Sequence, residues 1–327
     1  MDHAVDDDDD DDFDGNIFIY RGRRPAPLHV THARIDESVD GIEDHAFRNC
    51  HSLLTVDTHD GLRRVGKWAF YNCTSLRRIN LKSAIEIGFY AFNKCESLAD
   101  VEFGDRLETI EEGAFEYCTF NRLKLQSATT IGSTAFYSCR ALIDVELSER
   151  LETIGTIAFW CCERLRRIAV PLKRDLFVFD DINREYNQFD GCNKLITVDL
   201  VGGIHKTVAS LHMENWKTEI LAEINRINQV LPSTRPRQKG GVIRQWMESL
   251  LDKMDHYKAE HCRYMKEGIT LLELALWKAK LGEKEAYAAE GKTKKAKVHA
   301  ESYRRDKRIT CGADLVIKNV LPFLQLE

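Results

Sequence analysis

Cysteine is the residue type in this chain best equipped for chemistry, and there are ten of them. Seven stand three places after a phenylalanine: Cys50, Cys73, Cys95, Cys118, Cys139, Cys162 and Cys192. The first six recur every 21 to 23 residues, and Cys192 follows Cys162 by 30. Thiols at fixed spacing can cross-link, ligate a metal or do redox work. Zinc ligation needs clustered thiolates, commonly in Cys-x-x-Cys pairs, and that spacing does not occur here. The vicinal pair Cys161-Cys162 cannot complete a tetrahedral site alone. A fourth reading fits the spacing best: a column of small buried thiols, one per repeat, where Asn is the other common occupant. Disulfides within that column and a metal site are the competing readings. Free thiols imply a reducing compartment, so an intracellular location, cytoplasmic or nuclear, is expected.

Other chemically capable residues are less organised. His256 and His261 are five apart, off a single helical face and outside His-Glu-x-x-His spacing. P-loop, Gly-x-Gly-x-x-Gly, Gly-x-Ser-x-Gly and kinase signatures do not occur. With 52 acidic residues, carboxylate pairs carry no information. The expectation is a protein that is not an enzyme, with no cofactor and no resident metal.

The elements behind the cysteines form a repeat. Ala precedes Phe in six copies: Ala46-Phe47, Ala69-Phe70, Ala91-Phe92, Ala114-Phe115, Ala135-Phe136 and Ala158-Phe159. Ile or Val followed by Gly or Glu comes before each pair. After most cysteines comes Leu at the third place and Ile or Val at the sixth, as in Leu53 and Val56 or Leu76 and Ile79. The copy at Cys118 is one residue short and uses Phe120 and Leu123. The unit is Ile-Gly-x-x-Ala-Phe-x-x-Cys-x-x-Leu-x-x-Ile-x-Leu, and its period lies in the leucine-rich-repeat range. One unit cannot bury its own apolar side, but a stack of six or seven can. Gly is expected to permit a tight turn.

This unit resembles that of the BspA-like (treponemal-type) leucine-rich-repeat family, in which Ala-Phe-x-x-Cys recurs, over residues 35 to about 200. The resemblance implies an α/β solenoid: a right-handed stack with parallel strands, followed here by an α-helical extension. That extension is similar, around 271–278 and 318–323, to the one in algal repeat proteins of this type. It implies an accessory helical domain with no attached activity.

Four regions follow: an acidic tail without fixed structure (1–15), an N-terminal cap (16–40), the solenoid with six clear repeats and one degenerate (41–204), and the helical extension (205–327). Phe18 and Tyr20 should close the first end, and Trp216 with its neighbours the second. Residues 173–188 interrupt the repeat and are expected to loop out. Beyond 205, apolar residues at helical spacing predict one helix ending at Pro232. A glycine-containing loop to Gly241 follows, and then a long second helix toward Leu281, with Gly268 as the place where it would break or kink. Residues 311–324 are expected to fold back onto that helix. A coiled-coil homodimer through these helices is a possibility.

The strand face supplies the candidate binding residues. Aligned on the strand Ile or Val, the preceding column reads Thr55, Arg78, Asp100, Arg122, Asp144, Arg167, Thr197. The following column reads Asp57, Asn80, Glu102, Lys124, Glu146, Ala169, Asp199. These positions alternate outward from the core set. Opposite charges on neighbouring strands attract by roughly 0.2 to 1 kcal/mol per pair. One reading is a self-neutralising ladder that fixes register. The other is a face for a protein partner of mixed charge, with Arg78, Asn80, Asp100, Glu102, Arg122, Lys124, Asp144, Glu146 and Arg167 as contacts. Alternating sign suits a nucleic-acid backbone poorly.

Overall charge agrees. The formal net charge is −5, with nine aspartates before residue 15, so the remainder carries +4. No apolar run of membrane-spanning length is present, and the acidic start is unlike a secretory signal. The expected function is a non-catalytic scaffold or adaptor for unidentified protein partners. The alternative is a nuclear regulatory protein touching nucleic acid through the basic helix that contains Lys292 to Lys297.

Overall fold

The structure is a computed structural model that describes residues 12–178, 187–202, 208 and 213–289, the segment 281–289 by its backbone alone. The chain divides into two compact units, Met1–Asp252 and Lys253–Glu327. In the first, each Leu-x-x-Ile-x-Leu segment is a strand on one side of a coil. These strands are β3 (His32–Ile35), β5 (Thr55–Asp57), β7 (Arg78–Leu81), β9 (Asp100–Phe103), β11 (Arg122–Lys124), β13 (Asp144–Glu146), β15 (Arg167–Pro171) and β16 (Thr197–Val201). Each Ile-Gly segment is a two-residue strand on another side: β4 (Gly41–Ile42), β6 (Arg64–Val65), β8 (Glu86–Ile87), β10 (Thr109–Ile110), β12 (Thr130–Ile131) and β14 (Thr153–Ile154). Strands of the same kind pair in parallel from coil to coil. The result is a parallel-strand solenoid of about six turns.

The Ala-Phe-x-x-Cys segment makes the third side. The residue before Ala and the residue before Cys adopt left-handed backbone in nearly every copy: His45 and Asn49, Trp68 and Asn72, Tyr90 and Lys94, Thr134 and Ser138, Ile157 and Cys161. In the 118 copy the pair is Gly113 and Tyr117. That conformation costs roughly 1–2 kcal/mol for a residue with a Cβ. What it provides is a row of donors pointing the same way. His45, Phe47 and Asn49 donate their N–H groups to Lys67, Ala69 and Tyr71 of the next coil at 2.7–2.9 Å, and later coils repeat the pattern.

Inside the turn the phenylalanines stack. Phe47, Phe70, Phe92, Phe115, Phe136, Phe159 and Phe189 lie nearly parallel with centroids 4.9–5.9 Å apart. All are fully buried. Beside them runs the thiol column. Each Cys Sγ donates to the Phe carbonyl of the preceding coil, from Cys73 to Phe47 at 3.0 Å through Cys192 to Phe159 at 3.1 Å. The same carbonyl accepts the N–H of the cysteine in its own turn. A small side chain with one weak donor therefore fits this place.

The shortened 118 copy leaves a mark. Phe120 replaces Leu in the core, edge-on to Phe115 and Phe136. The strand-face sheet divides there, with β3, β5, β7 and β9 in one sheet and β11, β13, β15 and β16 in another. The glycines after Ile work differently from expectation. They provide close approach rather than turn freedom, since a Cβ on Gly132 would lie 2.5 Å from the Glu112 nitrogen.

Both ends of the stack are closed. β2 (Ile17–Tyr20) pairs with β3, and β1 (Phe13–Asp14) covers the outer edge of β2 in antiparallel fashion. Phe18 and Tyr20 are buried against Phe47, and the Tyr20 hydroxyl accepts the Glu43 N–H. The acidic run thus enters the fold at Asp12 to Asp14, because apolar Phe13 packs edge-on to Phe18. At the far end stand α1 (Glu214–Val230) and the start of α2 (Lys239–Ala289). The Asn228 side chain accepts the Val198 N–H of β16, and α1 buries Ile220 and Ile227.

Four expectations for this part change. Trp246, not Trp216, is the fully buried tryptophan, with its Nε1 donating to the Glu223 carbonyl at 2.8 Å. Gly240 and Gly241 lie inside the first turn of α2, and Gly240 is required because the Asn187 side chain occupies the place of a Cβ. The insertion after β15 docks before it leaves: Leu176 and Phe177 are buried, and Phe177 bridges to Ile154 of β14. Helix α2 runs through Gly268 without ending. Residues 311–324 lie outside the described residues.

Candidate protein-binding face

The strand-face columns are in the expected register. Arg78 is opposite Asp100 and Asn80 opposite Glu102. Arg122 is opposite Asp144, and Lys124 opposite Glu146. Asp144 is opposite Arg167, and Arg167 opposite Thr197. Side chains on successive strands thus share a face because the chain repeats in register.

Register does not make the two halves alike. From Lys124 onward the charged residues of the face are paired. Arg167 bridges Asp144 at 2.9 Å and Asp199 at 2.6 Å, and Lys124 meets Glu146 at 3.5 Å. The two carboxylates beside Arg167, Asp144 foremost, hold its guanidinium above its ordinary pKa. Before the shortened copy, Glu102 pairs with Lys82 at 2.6 Å, just beyond the end of β7. Among the described residues no ion pair engages Arg78, Asp100 or Arg122, and all three are exposed. The division of the sheet between β9 and β11 removes the direct strand pairing that would set Asp100 beside Arg122.

The thiols offer no reactive site in the column. Burial raises the pKa of all seven, Cys50 to about 12. They are free cysteines. Among the described residues no three His, Cys, Asp or Glu side chains gather to hold a metal ion. Likewise no described helix is long and apolar enough to cross a membrane. The basic cluster Lys292 to Lys297 lies outside the described residues.

A second surface escaped the sequence reading. The outward positions of the turns carry aromatic side chains. His45 stacks on Trp68 at 5.0 Å, and Trp68 meets Phe89 edge-on at 5.2 Å. Arg48 and Lys94 lie over the Tyr71 ring at 5.4 and 5.9 Å. With Tyr90, Asn93, Glu116 and Tyr117 they line a groove of about 580 Å³. Burial raises the Glu116 pKa, while its bond from the Asn93 amide opposes the shift. The signal was present in the columns just before Ala and just after Phe, which hold Trp68, Tyr90, Tyr71, Tyr137 and Trp160.

Parallel strands in register, a stacked phenylalanine core and solvent-facing strand residues define the class: a leucine-rich-repeat solenoid. A family profile described as BspA type leucine rich repeat region (6 copies) matches residues 28–128, 82–196 and 118–219, more than half of the chain. The chain belongs to that family. Among solved structures it is similar to a T. pallidum leucine rich repeat protein, at 26% identity and a TM-score of 0.35. The match covers 54% of this chain and 86% of that one. A leucine-rich repeat protein from Bacteroides ovatus is 19% identical with a TM-score of 0.34, over 53% of this chain and 55% of that one. A leucine rich cell surface protein from Faecalibacterium prausnitzii is 23% identical with a TM-score of 0.28, over 54% and 62%. No curated protein matches the chain.

Proposed function

We propose that this protein is a non-catalytic scaffold or adaptor whose protein partner docks on the strand face. Its main contacts are Arg78, Asn80, Asp100, Glu102 and Arg122. The supporting observation is the asymmetry of pairing along that face. Arg167, Asp144 and Asp199 already satisfy one another, so a partner gains little there and must break existing contacts. Arg78, Asp100 and Arg122 offer exposed charge of alternating sign, which favours a partner of complementary, mixed charge. Lys124, Glu146 and Arg167 then form the rim. The buried, protonated thiols suit a protein kept in a reducing cell interior.

The test is affinity capture with the intact chain, with Arg78→Glu plus Arg122→Glu, and with Arg167→Gln. Specific partners should be lost from the double variant and kept by the single one. Equal capture by all three removes the strand face from the reading. A homodimer through α2 is a second reading, favoured by the exposure of Leu271, Leu274 and Trp277. Light scattering of the intact chain against Leu271→Glu plus Trp277→Glu decides it, since only a helix-mediated dimer would become monomeric.

A further inference from the structure

The N-terminal end of the molecule separates its charges. Nine aspartates stand among the first fourteen residues. Residues 15–35 hold no acid but contain Arg21, Arg23, Arg24 and Arg34, with His29 and His32. Strand β1 doubles back on β2, which brings Asp12 onto the loop that leaves β2. There its carboxylate is divided between two guanidinium groups. Oδ1 accepts from Arg21 Nη1 at 2.9 Å, and Oδ2 accepts from Arg24 Nε at 2.8 Å. In this position the Asp12 side chain is only 15% exposed. Arg34 pairs with Asp14 at 3.5 Å, and Arg23 is exposed on the same loop.

Two guanidinium groups converging on one carboxylate form the arrangement by which proteins recognise Asp and Glu side chains of other chains. Capping the solenoid does not call for it, because Phe13, Phe18 and Tyr20 already close the apolar end. Nor does it call for the six consecutive aspartates, Asp6 to Asp11, that precede the one in the clamp. Carboxylates in the same chain as the clamp compete with carboxylates supplied by another chain.

We propose that the Arg21–Arg24 clamp is a docking surface for an acidic peptide segment of a partner, occupied in cis by Asp12 at the end of the aspartate run. The tail then sets an affinity threshold. A partner binds to the extent that its own acidic segment outcompetes Asp12. This surface is independent of the strand face and stands or falls separately.

The test is fluorescence anisotropy with a labelled octa-aspartate peptide at low salt. Three full-length proteins are compared: the intact chain, a variant with Asp6 through Asp12 all replaced by Asn, and that variant with Arg21→Gln and Arg24→Gln. The neutral-tail variant should bind at least tenfold more tightly than the intact chain, and the arginine substitutions should abolish the gain. A variant that keeps Asp12 but neutralises Asp6 through Asp11 should fall between the two, which preserves the test if losing Asp12 disturbs β1. Arg78→Glu with Arg122→Glu should leave this binding unchanged. Equal affinity with and without the aspartates overturns the proposal, as does undiminished binding after the arginine substitutions. A single-stranded DNA oligonucleotide that binds more tightly than the peptide would also overturn it, by assigning the loop to phosphate backbones.

Discussion

The turn column and the strand face are made by the same repeat, yet they tolerate change very differently. In the turn the Ala, Phe and Cys of each clear copy are buried against their counterparts above and below, and backbone bonds and stacked rings leave little freedom. On the strand face side chains point outward, and the backbone pairing is indifferent to what they are. The turn decides whether the chain stacks. On the function proposed above, the face decides what the stack meets.

Alkali should separate the two most strongly. The seven buried thiols keep their protons in the fold to higher pH than in the unfolded chain. Above about pH 9 the unfolded chain therefore binds fewer protons, and stability falls as pH rises. The slope is about 1.4 kcal/mol per pH unit for each thiol. The seven contributions have the same sign, so the column as a whole makes the fold sensitive to alkali. Circular dichroism against pH should show stability falling as the pH rises above about 9. Replacing Cys95, Cys118 and Cys139 by Ala should move the midpoint upward; an unmoved midpoint breaks the account of the column.

Phe115→Ala should come next. Its ring touches Phe92, Phe103, Phe120 and Phe136, and truncation should cost about 3–5 kcal/mol in urea unfolding. A smaller effect, of opposite sign, is expected at Lys94. It is exposed and left-handed at φ 60, so Lys94→Gly should stabilise by about 1 kcal/mol or less. The smallest changes should be on the strand face. Arg167→Gln should cost no more than about 1 kcal/mol, and Arg122→Glu should stay within about 0.5 kcal/mol. If Arg122→Glu unfolds the protein, the contrast between the two regions is wrong.

This contrast also explains what could be read from residues alone. The phenylalanine and cysteine positions, the coil period and the register of Arg78 with Asp100 were legible because burial repeats and one slip would misplace every later coil. The left-handed pair in each turn was not, because Trp68, Lys94, Thr134 and Ile157 are not residues that announce such backbone. Pairing on the face was not legible either. One missing residue after Cys118 divides the sheet, and no column of charges reveals that. Trp246 and Trp216 both sit at helical spacing, and that spacing does not reveal that the Trp246 indole is buried against the Glu223 carbonyl. The expectation of an acidic tail without fixed structure over 1–15 gave no reason to match Asp12 to Arg21 and Arg24, which are nine and twelve residues further on, past β2.

The three turn N–H groups that each coil offers to the next all point toward the C-terminus. Their peptide dipoles therefore add, as along a helix axis. The column has a negative pole at the first coil, beside the arginine-rich loop, and a positive pole at the last, where the side-chain oxygen of Asn187 accepts the Phe189 N–H. A battery-like polarity of this kind makes the two end caps non-interchangeable. A coil inserted or deleted mid-stack preserves it, whereas a cap moved to the opposite end would set like poles together.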